Sequence, residues 1–207
     1  MSMENLEGII EGMEARLDEK DAVRELALKS SRTIARLAGE AVRRIHRGED
    51  MIDLLREVRD RNGELSSALR DHLDIYYAGY IENAHQELAE VSILHSIVEN
   101  KPLPTPSDLE VTDKAYLMGF GDVVGELRRI TLDALKRGDA DAANKHLQQM
   151  EEIFTVLMRF DFPSGLLAIK RKQDIARRLL EKTRGEVAVA TYGKSLEEKM
   201  DDLLDKL

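Results

Sequence analysis

The sequence predicts an all-α protein: a single domain over residues 1–207, built as a bundle of helices. Three observations carry that expectation. Only four prolines are present, and they fall in two short connectors: Pro102, Pro104 and Pro106 in NKPLPTPSD, and Pro163 in RFDFPSG. Between the connectors apolar residues recur every three or four positions, the period of a helix face, and no stretch reads convincingly as a strand. Hydrophobic residues make up 43% of the chain and charged residues 34%, with no Trp, which is the profile of a soluble, helix-rich protein whose core needs no disulfides.

Helices are expected at about 4–17, 19–47, 50–74, 76–99, 112–137, 140–160 and 163–184, with a short amphipathic one at about 195–206. The second carries an apolar stripe of Val23, Ala27, Ser30, Ile34, Leu37, Ala41 and Ile45. It ends at RGED, where a glycine after a basic residue gives a stop and the following Asp a candidate cap for the next helix. KRGDAD repeats that arrangement between the helices at 112–137 and 140–160. The middles of NAHQELAEVSIL and AYLMGFGDVVGELRRI are apolar apart from a few acids.

Lys29, Arg32, Arg36, Arg43 and Arg47 fall on one narrow stripe roughly opposite the apolar stripe of the second helix. Such a ridge is either a solvated face salted by neighbouring acids, of which Glu40 is the one near in sequence, or a track for phosphates. The net charge of −9 argues against a protein that coats nucleic acid with its whole surface, yet permits a local basic face. The amino-terminal segment is acidic and amphipathic rather than basic then apolar, and no apolar run approaches the ~20 residues of a membrane span. The cytoplasm is the expected location, with no membrane partner. The absence of Cys excludes disulfides and thiolate metal sites.

Gly119, Gly121 and Gly125 give a GxGxxxG, but a dinucleotide loop needs a preceding strand and TDKAYLM looks helical. Glu82 and His85 form a single ExxH, where carboxylate-bridged metal sites in bundles use two. His95 sits in an apolar stretch and reads as a core or interface histidine. Two acid pairs remain. Glu87 and Glu90 are three apart, Asp122 and Glu126 four apart, so each pair shares one helix face. Unpaired carboxylates in apolar helix middles are costly. Arg128 and Arg129 neutralise them as ordinary ion pairs, or a divalent cation does: four hard carboxylates suit Mg²⁺, with Mn²⁺ as the alternative. A metal so held would activate water against a phosphodiester, with nearby arginines on the phosphates. Gly121 and Gly125, each costing the helix roughly 1 kcal/mol relative to Ala, would let a second backbone approach closely.

From about residue 20 to about residue 190 the chain resembles the translin family, and within it the catalytic, Trax-like branch. The resemblance is carried by RIHRGED, NAHQELAEVSILHSIV, AYLMGFGDVVGELRRITLDAL with KRGDADAA, and GLLAIKRKQDIARRLLEKTRGE. Trax proteins place Glu-x-x-Glu after a Gln, matched by Gln86, Glu87 and Glu90. They place Asp-x-x-Gly-Glu before Leu and Arg, matched by Asp122, Gly125, Glu126, Leu127 and Arg129. The spacers depart from the pattern, being Leu88-Ala89 and Val123-Val124, and the basic amino-terminal tail of eukaryotic members, with its case for nuclear import, is missing.

This resemblance implies an all-α, translin-like subunit of about seven helices that assembles into a hollow homo-octamer binding RNA on its inner surface. It implies a Mg²⁺-dependent endoribonuclease acting on single-stranded or short structured RNA, with Glu87, Glu90, Asp122 and Glu126 as catalytic metal ligands. A non-catalytic shell binding single-stranded RNA or DNA is the alternative. Arg32, Arg36, Arg43, Arg47, Arg128 and Arg129 are the candidate phosphate contacts.

Overall fold

The computed structural model of the chain describes residues 5–204, without the side chains at 197, 198, 201 and 202. The described residues form helices and connecting turns, with no strand: α1 (Leu6–Arg47), α2 (Ile52–Ala68), α3 (Leu73–Tyr76), α4 (Gly79–Val98), α5 (Asp113–Lys136), α6 (Ala140–Leu157) and α7 (Lys170–Leu204).

Both glycines stop their helices as the residue chemistry predicts, whereas of the two candidate caps only Asp139 caps its helix and Met51 takes that position in α2. Gly48 adopts the left-handed conformation, φ 67°, and closes α1, its N–H reaching back to the Ile45 carbonyl at 3.1 Å. Only a residue without Cβ takes that conformation at little cost. The Asp50 carboxylate then accepts from the Ile52 N–H at 2.9 Å. Gly138, φ 75°, closes α5, and Asp139 caps α6 by accepting from the Ala142 N–H at 2.9 Å.

Four expected boundaries move. The break near residue 18 is absent, because LDEKDAV contains neither Gly nor Pro and nothing there stops α1. The helix expected over 50–74 is instead two, α2 and the four-residue α3, separated by a turn in which the His72 N–H donates to the Leu69 carbonyl at 2.9 Å. The helix expected from 163 begins only at Lys170, since the Pro163 carbonyl accepts from the N–H groups of Leu166 and Leu167 and folds Ser164-Gly165 into a turn. The short helix expected at 195–206 is the continuation of α7, which runs through Gly185 and Gly193; residues 205 and 206 lie outside the described residues. An isolated glycine weakens a helix without ending it.

Two compact units divide the chain. The first comprises residues through Val91 together with 105–115. Here α1 packs on α2, burying Ala27, Ile34, Leu37 and Ala41 of the expected stripe, with Val23, Ser30 and Ile45 partly covered. Buried Asn62 of α2 donates to the Leu109 carbonyl at 2.9 Å and so pins the 105–115 segment. His85 of α4 is wholly buried and its ring lies 5.4 Å from that of Tyr76. Burial pushes its pKa down to about 4, because the charged imidazolium loses its hydration there. In the single ExxH, Glu82 accepts from the Thr112 hydroxyl at 3.0 Å and faces Lys114 at 3.5 Å.

The second unit comprises Ser92–Pro104 and Tyr116–Leu207. Its core takes Val123, Val124 and Leu127 of α5, Met150, Ile153 and Leu157 of α6, and Ala176, Leu180 and Val187 of α7. The start of α7 is anchored by buried Gln173, whose side-chain amide donates to the carbonyls of Leu157 and Phe160, both at 2.8 Å. Those two bonds fix the start of α7 against the end of α6.

Candidate functional site

Each acid pair occupies the face its spacing predicts. Glu87 and Glu90 are half-buried on α4, within the first unit, and the spacer between them, Leu88-Ala89, is fully buried. The non-aromatic spacer is thus ordinary core. Asp122 and Glu126 are half-buried on α5, within the second unit, and their spacer Val123-Val124 is likewise fully buried. Apolar spacers point inward and carboxylates outward, as a 3.6-residue period requires.

The glycines of α5 serve close approach. A Cβ added at Gly121 would stand 3.0 Å from Cβ of Lys172 and 3.3 Å from its Cγ, so α7 lies against α5 at a distance that a side chain at 121 would disturb. At Gly125 the nearest group is a Leu179 methyl, at 3.9 Å, which is ordinary contact. The Gly121 approach brings the Lys172 ammonium onto the Asp122 carboxylate as an ion pair, with the two side chains 17% and 28% exposed.

Arg128 of α5 is bonded to two residues of α7. Its guanidinium grips Glu186 with two bonds, 2.6 and 3.0 Å, and donates to the Thr183 hydroxyl at 2.6 Å. The side chain is only 12% exposed. The hydrogen bond from Arg128 holds the Glu186 carboxyl below its ordinary pKa. A planar fork on a carboxylate is the geometry arginine makes best, and it leaves this guanidinium committed to the protein. Arg129, the next residue, is exposed and has no ion-pair partner among the described residues.

The basic ridge on α1 divides in two. Glu40 sits among three arginines, 2.8 Å from Arg43, 3.7 Å from Arg44 and 3.2 Å from Arg47, and Arg47 also reaches Glu49 at 2.7 Å. Hydrogen bonds from Arg43 and Arg47 hold the Glu40 carboxyl below its ordinary pKa. This half is the salted face. Arg36 and Arg32, one and two turns before Glu40, are exposed and without an ion-pair partner among the described residues. This half keeps its positive charge for other company.

Among the described residues no group of three or more His, Asp or Glu side chains gathers closely enough to hold a metal ion. Mg²⁺ does not require one: it retains several waters and is bound through one or two carboxylates together with substrate phosphates. Asp122 with Glu126, and Glu87 with Glu90, each offer two hard oxygen donors on a half-exposed face, so the donor chemistry fits that ion. Lys172 and Glu186 escape the sequence reading because they stand 50 and 58 residues from Asp122 and Arg128. The one sequence signal for them is the glycine at 121, which marks where another helix comes close.

An all-helical chain, with acid pairs on two apolar helices and open cations on α1 and α5, is the class of protein that the fold and these side chains define. Residues 18–187 match the translin family, and the chain belongs to it. It is 32% identical over 189 residues to the uncharacterized protein MJ0175 of Methanocaldococcus jannaschii, covering 89% of this chain and 83% of that one. The crystal structure of AfC3PO superposes with a TM-score of 0.83 at 33% identity, over 89% of this chain and 97% of that chain. The AfC3PO complex with duplex RNA superposes with a TM-score of 0.73 at 31% identity, over the same shares of the two chains. Apo-NeC3PO, 18% identical with a TM-score of 0.78 over 92% of this chain and 99% of that one, shares the fold.

Proposed function

We propose that the chain is a Mg²⁺-dependent endoribonuclease of the Trax-like branch, cutting single-stranded or short structured RNA inside a homo-octameric shell in the cytoplasm. The observation that carries this reading is the full set of four carboxylates, Glu87, Glu90, Asp122 and Glu126, half-buried on the apolar helices α4 and α5. The AfC3PO relative seen with duplex RNA supports RNA as what the chain binds.

When bound, Mg²⁺ supplies a Lewis acid for the phosphodiester and lowers the pKa of a water that attacks it. The chain's part is to present the carboxylates that hold the ion, and one of them takes the proton of the attacking water. Arg32, Arg36 and Arg129 are the cations open to RNA phosphates, whereas Arg43, Arg47 and Arg128 already serve carboxylates of the protein. Self-assembly is supported by apolar stripes left exposed on single helices: Leu6, Ile9, Ile10, Met13 and Leu17 of α1, and Val189, Tyr192, Leu196, Met200 and Leu203 of α7. Among the described residues no helix is long and apolar enough to cross a membrane.

A circular single-stranded RNA, which has no ends, tests the activity. Purified protein linearises it in Mg²⁺ and leaves it intact in EDTA; persistence of the circle in Mg²⁺, with tight and salt-sensitive binding, identifies a non-catalytic shell instead. Replacing Arg32 and Arg36 together by Ala weakens RNA binding and lowers the slope of log affinity against log salt by about 1.4, two phosphate contacts at about 0.7 each. An unchanged slope, measured by fluorescence anisotropy across a salt series, removes them from the interface.

A further inference from the structure

We propose that Lys172 is the internal counter-cation of Asp122: its ammonium neutralises that carboxylate in the metal-free chain and must leave it before a divalent cation binds there. The inference rests on the metal-holding role proposed above for Asp122 and adds to it a residue that controls when the role is taken up.

Three observations build the arrangement. The Lys172 ammonium is on the Asp122 carboxylate, and both side chains are largely shielded from water, so solvent competes weakly for either charge. Gly121, beside Asp122 in the chain, admits the lysine stem: a Cβ there would stand 3.0 Å from Lys172 Cβ, the root of the side chain rather than its mobile end. Gln173, the neighbour of Lys172, ties α7 to the carbonyls of Leu157 and Phe160, which sets the rotation of α7 that aims Lys172 at α5. The ammonium is therefore delivered by construction and not by chance encounter of two long surface side chains.

An ammonium and a divalent cation on one carboxylate repel, so the two states exclude each other. The apparent metal affinity is the intrinsic one reduced by the fraction of time Asp122 is released. A tethered cation that holds Asp122 nine-tenths of the time weakens metal binding about tenfold. Asp122 then stays paired when divalent ions are scarce, and half-loading takes about tenfold more free cation than it would without the lysine.

Mn²⁺ binding to the purified full-length chain, followed by the electron paramagnetic resonance signal of free Mn²⁺, tests this without reference to activity. Lys172→Met is expected to bind Mn²⁺ about tenfold more tightly than wild type, Lys172→Arg close to wild type, and Asp122→Asn combined with Lys172→Met to lose the gain. Circular dichroism checks that each variant is folded. Gly121→Ala displaces the lysine stem while keeping its charge and should shift affinity in the same direction, which covers the case of a poorly folded Lys172→Met. Binding in Lys172→Met that is equal to or weaker than wild type overturns the counter-cation proposal and leaves the metal-holding role of Asp122 standing. Mn²⁺ binding that Asp122→Asn leaves unchanged, in the wild-type and the Lys172→Met backgrounds alike, overturns that role itself.

Discussion

Asp122→Asn lowers Mg²⁺-dependent RNA cleavage by on the order of 10³-fold, about 4 kcal/mol of transition-state stabilisation, and leaves RNA affinity within about twofold of wild type. The substitution keeps the shape of the side chain and removes its charge, so the helix face, the buried Val123-Val124 spacer and the cations on other faces are retained. What is lost is a hard anionic oxygen donor, together with the charge that pairs with the Lys172 ammonium. Glu90→Gln makes the same change on α4 and has an effect of the same order. The check is a pair of measurements on each variant, cleavage rate at saturating RNA and binding in EDTA. Cleavage within tenfold of wild type in both variants contradicts the assignment, and loss of binding together with cleavage reassigns these residues to structure.

Acidification destabilises the chain through His85. Its folded pKa of about 4 lies below the ordinary value of 6.5, so the folded state binds fewer protons than the unfolded state between those limits. The contribution is fully present above pH 6.5 and is lost as pH falls toward 4. Between pH 7 and pH 4.5 this one group removes on the order of 2 kcal/mol of stability. His85→Leu, similar in volume and unable to take up a proton, loses less stability over the same interval by that amount. Urea unfolding of both proteins at the two pH values reads the difference directly. Equal losses in wild type and variant place the acid sensitivity elsewhere.

Most of the fold is legible in the sequence because local signals mark it. Gly48 and Gly138 stop helices where their left-handed backbone is needed, and the apolar period of Ala27, Ile34, Leu37 and Ala41 names the buried face of α1. Boundaries without such punctuation are placed poorly: α1 is read as two helices although LDEKDAV has no breaker, and α7 is read as two although its glycines merely weaken it. The acids of the candidate site are visible as pairs because three and four residues is the spacing of neighbours on one helix. Their protein partners are not visible, since Lys172 meets Asp122 and Glu186 meets Arg128 only through the packing of α7 on α5. On α1 the sequence names the cations but not their division. Glu40 lies within reach of positions three, four and seven residues later and so draws in Arg43, Arg44 and Arg47, while Arg36 and Arg32, four and eight residues earlier, stay open.

The claim at the centre of this account is that Asp122 holds the catalytic metal, and the cleavage rate of Asp122→Cys in different metals tests it most directly. A thiolate is a poor donor for Mg²⁺ and a good one for Cd²⁺. The account predicts that the variant is inactive in Mg²⁺ and regains cleavage when Cd²⁺ is supplied, while Asp122→Asn stays inactive in both; an Asp122→Cys enzyme that cuts RNA in Mg²⁺ as fast as wild type would contradict it.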